Sequence, residues 1–273
     1  MIADRVALSP TTLDEALELR AAHPELSVVA GGTDAMVGVN AGRGDLVGWL
    51  SLRRVEELRS ITHDESTVSI GAATTMQSIV TGLAARLPAL ADAARTVGGP
   101  QIRAMATIGG NVTTGSPAGD TLTPLVCLGA EVELRSVAGT RRLPLREFLL
   151  GPKRTALRAD ELLVAVHVPD RGPRQVFAKA GPRGAMVIAV CNIAVVLHAD
   201  GAGGNVAVGS AGPTIVEAGD AVGHLLDPDG ADAFAAAVSA ATRPIDDVRG
   251  TAAYRRHAVH VLARRAHRWV RDG

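Results

Sequence analysis

Ala106-Thr107-Ile108-Gly109-Gly110-Asn111-Val112-Thr113-Thr114-Gly115-Ser116-Pro117-Ala118-Gly119-Asp120 runs an apolar approach into a glycine pair and then into small hydroxyl and amide side chains. The pattern reads as a strand delivering a tight, polar turn. Paired glycines permit backbone angles closed to other residues and remove the Cβ atoms that keep a ligand off the main chain. Several N–H groups pointing into one concavity make a phosphate site, to which Thr107, Asn111 and Thr114 can add neutral hydrogen bonds. Upstream lies a second stretch of this kind, Ser27-Val28-Val29-Ala30-Gly31-Gly32-Thr33-Asp34-Ala35, so two strand-to-glycine turns can face one ligand from opposite sides. Taken singly, either turn reads as ordinary loop chemistry. The pair is the signal.

A chain of 273 residues can hold two modest domains, each with its own core. Lys plus Arg equal Asp plus Glu at 28 each, so the overall charge points to neither nucleic acid nor an acidic membrane surface. Aromatic residues make up only 2%, too few for the stacking platforms of single-strand binders. Cys127 and Cys191 sit apart in apolar runs and read as core thiols. An iron–sulfur cluster, which normally needs four thiolates, is not expected on this chain alone. Met1-Ile2-Ala3-Asp4-Arg5 has no signal-peptide layout and no window is long and apolar enough for a membrane span, so a reducing cytoplasm is the default expectation.

Working outward, hydroxyl-capped helices are expected after Thr11-Thr12 and Thr74-Thr75, with an Ala-rich helix from Leu87 to Val97 stopped by Gly98-Gly99-Pro100. Strands are expected at Ser27–Val29, Asp45–Leu52, Ser66–Ile70, Ala130–Arg135 and Leu162–Val168. Asp120 stands where an N-cap belongs for a helix from Thr121 to Leu128, a role compatible with touching a ligand. Arg171-Gly172-Pro173-Arg174 reads as a linker dividing domains at 1–170 and 174–273. Beyond it, strands at Val176–Lys179, Val187–His198 and Asn205–Gly209 precede helices at Asp229–Thr242 and Gly250–Arg271, an α+β pattern. In the last helix Ala258, Leu262, Ala266 and Trp269 form an apolar stripe, and six arginines, Arg255 among them, read as a solvated face. His257 and His260, lacking a third ligand, read as surface residues and not as a metal site.

No G-x-G-x-x-G opens a βα unit, and no P-loop, H-E-x-x-H or G-x-S-x-G occurs. Hydrolase chemistry has no foothold. A site of this kind suits a cofactor that brings its own chemistry and needs only to be bound, oriented and tuned.

The segments Val29-Ala30-Gly31-Gly32-Thr33-Asp34, Thr107-Ile108-Gly109-Gly110-Asn111 and Ser116-Pro117-Ala118-Gly119-Asp120 resemble the two FAD loops of the flavoprotein, or medium, subunit of molybdenum hydroxylases of the carbon monoxide dehydrogenase and xanthine dehydrogenase type. The likeness extends through Val97-Gly98-Gly99-Pro100-Gln101-Ile102-Arg103, Asp160-Glu161-Leu162-Leu163, Phe177-Ala178-Lys179, Arg183 to Ala189 and Asp247 to Arg255, in order along nearly the whole chain. It implies a PCMH-type FAD-binding domain of two α+β lobes, shared with vanillyl-alcohol oxidases, followed by a small α+β C-terminal domain. Val28, Val29, Ala30, Gly31, Gly32, Thr33, Asp34 and Ala35, with Thr107, Ile108, Gly109, Gly110 and Asn111, would then hold the pyrophosphate and ribityl chain through main-chain N–H groups. Thr114 would add a hydrogen bond, Asp120 would accept from a hydroxyl, Leu163 would lie against the flavin or adenine, and Lys179 would place a cation near the flavin.

The resemblance further implies noncovalent FAD, since no His or Cys near the loops is placed for a covalent link, and no catalytic acid or base on this chain. Partners would be a large subunit with a molybdenum cofactor and a small subunit with two [2Fe–2S] clusters, in a dimer of heterotrimers. Electrons would pass from the clusters to FAD and on to an acceptor. Two departures stand out: the aromatic residues that flank the flavin in several relatives are absent, and Ala185-Met186 stands where many relatives have an acidic residue. Two other readings are a free-standing FAD oxidoreductase with its own substrate pocket and a scaffold that keeps the fold without the cofactor. The first needs a Tyr, His or acid near the flavin, and the only tyrosine is Tyr254; the second predicts a colourless complex.

Overall fold

The computed structural model describes residues 6–42 and 47–272. The chain opens with a small parallel sheet in which Gly48–Ser51 lies between Val6–Leu8 and Ser27–Val29. Parallel neighbours need a crossover, and the helix Leu13–Ala22 runs between the two outer strands in sequence. The Thr12 hydroxyl accepts from the Glu15 N–H at 3.2 Å, the cap that the sequence predicts. Ala16 and Leu17 of this helix pack with Leu26, Leu50 and Leu162. Of the strand expected from Asp45, only Gly48–Ser51 is strand, while Asp45 and Leu46, like Met1 to Arg5, lie outside the described residues.

The second lobe is a five-stranded antiparallel sheet in the order Ile61–His63, Thr67–Gly71, Leu162–Pro169, Glu131–Ser136, Gly139–Pro144. Alternation sends Val68, Ile70, Val132, Leu134, Val166 and Val168 to one face, where they bury against Met76, Ile79, Leu90, Ile108, Val112 and Leu122 from the helices. Ser69, Glu133 and His167 line up across the other face. His167 lies 2.8 Å from both Ser69 Oγ and Glu133 Oε2, and Arg135 and Arg142 donate to the same carboxylate at 2.8 to 3.1 Å.

Burial pushes the Glu133 carboxyl up, but hydrogen bonds from His167, Arg135 and Arg142 outweigh it and hold the group below its ordinary value. A carboxyl depressed on folding contributes stability in full above its unfolded pKa and loses it as pH falls through the folded one. The melting temperature is therefore expected to drop on acidification below about pH 4, and Glu133→Gln to flatten that limb of the profile. An unchanged slope in thermal melts of Glu133→Gln would remove Glu133 from the account.

The last domain is an antiparallel sheet in sequential order, Gln175–Ala180, Cys191–Leu197, Gly204–Gly209 and Val216–Glu217. One face packs on helices Ala231–Ala241 and Ala252–Asp272 through Ile193, Val195, Val206 and Val208. The other face sends Ala194, Val196 and Ala207 into the core of the second lobe, beside helix Leu122–Cys127. Every residue of Cys191–Leu197 is buried, so this strand reads as an apolar run rather than an alternation.

Several expectations need correction. The central stretch is not a strand and turn but two short helices, Pro100–Met105 and Ile108–Thr114, joined by an extended Ala106-Thr107. Thr107 caps the second helix through the Gly110 N–H, while Ile108 and Val112, one turn apart, are buried. Val187 to Val190 belongs to a loop, and the strand starts at Cys191. Trp269 is 47% exposed and off the apolar stripe, which runs instead through Ala258, Val259, Leu262, Ala263, Ala266 and Val270. Arg255 is no surface residue: at 1% exposure its guanidinium donates to the carbonyls of Val190 and Ser210 and to Asp247. Among the described residues no helix is long and apolar enough to cross a membrane.

Candidate functional site

Between the two lobes and the C-terminal domain lies a cleft of about 490 Å³. Its first wall is the loop Val28 to Ala35. Gly31 packs so closely on the Met105 and Ala106 main chain that a Cβ there would overlap the Met105 carbonyl, and Gly32 has φ +71°, which favours glycine. Met36 N–H turns back to the Gly32 carbonyl at 2.9 Å, starting the helix Ala35–Asn40. The N–H groups of Gly31, Gly32, Thr33, Asp34 and Ala35 have no intramolecular partner among the described residues. Five successive free donors on one wall are what an anionic diphosphate requires.

The opposite wall differs from the expectation of a matching bare turn. Ile108 N–H donates to the Thr74 carbonyl at 3.0 Å, Gly109 to Ala72 at 2.9 Å, Gly110 to Thr107 Oγ1 at 3.2 Å and Asn111 to the Thr107 carbonyl at 3.1 Å. Its main-chain donors are thus committed within the chain, and this wall offers side chains instead. Asn111 Oδ1 accepts from Thr121 at 2.6 Å, which leaves the amide nitrogen free among the described residues. Thr114 donates to the Gly110 carbonyl at 2.8 Å and reaches Asp34 Oδ2 at 3.4 Å, tying the two walls together.

Asp120 closes the end of the cleft. It does not cap the following helix, whose N-cap is Thr121 with no side-chain bond. Its carboxylate accepts instead from Lys179 Nζ at 2.5 Å, Thr96 Oγ1 at 3.0 Å and Asn192 Nδ2 at 3.0 Å. The ion pair is sealed, with side chains 8% and 9% exposed. Burial pushes the Asp120 carboxyl above its ordinary range, opposed by the Lys179 cation and by hydrogen bonds from Lys179, Asn192 and Thr96.

The cleft is lined by Val28 to Ala35, Thr107, Gly110, Asn111, Thr114 and Asp120, all expected site residues. Lys179 is neither at the surface nor in this cleft; it opens onto an adjoining cavity with Phe177, Arg103 and Arg183. Ile108 and Leu163 lie in the hydrophobic core, and Gly109 serves packing, since a Cβ would meet Ala72 at 2.7 Å. Sequence reasoning missed Thr96 to Gly98, Ile102 and Met186 to Ile188, which give the cleft its apolar side. The available sequence signal was the pair Gly98-Gly99, of which Gly98 has φ +54° and packs against Ile102.

Both cysteines are buried free thiols outside the cleft, Cys191 pushed up to about 12 by burial. Tyr254, 52% exposed, is also absent from its lining. No cluster of three potential metal ligands occurs among the described residues.

The cleft thus combines a wall of unpartnered main-chain donors, a buried carboxylate and an apolar flank. Residues 4–171 match the family described as the FAD binding domain in molybdopterin dehydrogenase, and residues 176–270 match the CO dehydrogenase flavoprotein C-terminal domain. The chain belongs to this oxidoreductase family, the FAD-binding subunits of molybdenum hydroxylases of the carbon monoxide dehydrogenase and xanthine dehydrogenase type.

It is 36% identical over 230 residues to the carbon monoxide dehydrogenase medium chain of Afipia carboxidovorans, covering 80% of this chain and 79% of that one. It is 36% identical to the xanthine dehydrogenase FAD-binding subunit of Escherichia coli O157:H7 over 161 residues, 58% of this chain and 55% of the relative, so the match spans about half that protein. Reconstituted CO dehydrogenase from Oligotropha carboxidovorans contains a chain of the same fold, with a TM-score of 0.91 at 28% identity, covering 100% of this chain and 99% of that one.

Proposed function

We propose that this chain binds FAD noncovalently in the cleft and serves as the electron-transfer subunit of a molybdenum-containing hydroxylase. The observation that carries this reading is the row of five N–H groups from Gly31 to Ala35, unpartnered among the described residues, in a cleft also lined by Asn111 and Asp120. Gly31 to Ala35 would hold the pyrophosphate through the main chain. Asn111 would donate its free amide, and Asp120 would accept from a ribityl hydroxyl. Val28, Val97, Ile102, Met186 and Ile188 would exclude water from the ring system in place of aromatic residues. Lys179 would keep a positive charge beside the site through its pair with Asp120. Bound there, FAD supplies the redox chemistry, exchanging electrons with iron–sulfur clusters on one side and an external acceptor on the other.

The partners on this reading are a large subunit holding the molybdenum cofactor and a small subunit holding [2Fe–2S] clusters, assembled as a dimer of heterotrimers in the cytoplasm. The purified full chain, incubated with FAD and desalted, is expected to show a flavin absorption spectrum and to release the flavin on heating. A chain that stays colourless, alone and in the complex recovered with its partners, would overturn the proposal.

A further inference from the structure

We infer that Asn192, a residue of the C-terminal domain, is the positioning residue that aims the Asp120 carboxylate into the cofactor cleft. Asn192 lies on the strand Cys191–Leu197 and is fully buried. Its Nδ2 donates to Asp120 Oδ1 at 3.0 Å, and its Oδ1 accepts from Thr123 Oγ1 at 2.6 Å. Thr123 is also fully buried, so its hydroxyl fixes which end of the amide faces Asp120. Lys179 and Thr96 occupy Oδ2, which leaves Oδ1 with Asn192 as its single partner among the described residues and a second lone pair for a ligand.

Room for this arrangement comes from Gly209, the cross-strand neighbour of Asn192. A Cβ on Gly209 would run into both Asn192 Oδ1 and Thr123 Oγ1. The next residue secures the same loop from the same side: Ser210, at φ +59°, donates its N–H to the Pro117 carbonyl at 2.8 Å, and Arg255 holds the Ser210 carbonyl at 2.7 Å. The C-terminal domain therefore sets the geometry of a carboxylate that belongs to the other domain.

This inference rests on the reading of Asp120 as a cofactor contact, and its test separates the two. FAD dissociation constants are measured by flavin fluorescence for the full-length wild type, Asn192→Leu, Thr123→Val and Gly209→Ala across about pH 5 to 8, with apoprotein melting curves as the folding check. Lys179 is the charged group among the partners of Asp120, and Thr96 and Asn192 are neutral. Losing a donor to the carboxylate raises its proton affinity. The variants are expected to bind FAD about tenfold more weakly, equivalent to ~1.4 kcal/mol, with the loss growing as pH falls more steeply than in the wild type.

Thr123→Val keeps Asn192 in place and decides the matter if Asn192→Leu does not fold. Folded variants with wild-type affinity, or with a loss equal at every pH, would overturn the inference by assigning these residues to packing alone. Wild-type protein that fails to bind FAD would instead overturn the proposed function.

Discussion

Gly31→Ala is expected to weaken FAD binding by about a hundredfold or more, the equivalent of ~2.7 kcal/mol. The added methyl group has nowhere to go, because the Met105 carbonyl and the Ala106 nitrogen are main-chain atoms held by the helix Pro100–Met105. The two walls must separate, and the N–H groups from Gly31 onward then no longer face Asn111. Stability suffers less, since overpacking at one contact costs about 1–3 kcal/mol, a fall in Tm of roughly 2 to 10 °C for a chain of this size. Gly32→Ala is the control. Its Cβ would meet the Val29 and Met36 side chains at 3.5 and 3.6 Å, ordinary contact, and its cost is confined to the positive φ, about 1–2 kcal/mol. Equal effects of the two substitutions on the FAD dissociation constant would refute the close-approach argument.

The other large effect is expected at the Asp120–Lys179 pair. Lys179→Met leaves a buried carboxylate without its counter-charge, and breaking a buried pair in this way costs about 3–5 kcal/mol. A Tm lower by roughly 10 °C follows. The double substitution Asp120→Leu with Lys179→Met is expected to recover only part of that loss, because it removes the unpaired charge but leaves the buried Asn192 amide without its acceptor, at about 1–3 kcal/mol. FAD binding is not expected to return with it. Acid should help the single variant: a carboxyl raised on folding costs stability above its folded pKa, and the cost vanishes as pH falls through that value. Thermal melts of the four proteins across pH check all of this, and strictly additive losses would show that the pair is not coupled.

The first glycine loop, the order of strands and helices in the second half and the capped helices at Thr12 and Thr75 were legible because each is written in local pattern. The central helix was not. Ile108 to Thr114 consists of residues with poor helix propensity, Gly, Asn, Val and Thr, and seven residues are too few to form a helix alone. What makes it helical is the burial of Ile108 and Val112 and the docking of Gly109 on Ala72, contacts that no local window contains. Asp120 shows the same limit. Its position before a helix suggested a cap, yet its partners Lys179 and Asn192 lie 59 and 72 residues further along the chain. Arg255 was misread because charge on a long helix is usually solvated, whereas here the carbonyls of Val190 and Ser210, at the ends of two central strands, and the Asp247 carboxylate turn it inward.

The two walls of the cleft are unequal, one rich in free donors and the other internally satisfied from Ile108 to Asn111. Behind the satisfied wall, Ile108 and Val112 are held in a continuous hydrophobic cluster. Folding alone therefore fixes one wall, whose main-chain donors all end within the chain, whereas the donors from Gly31 to Ala35 have no partner among the described residues and can be satisfied only from outside the polypeptide.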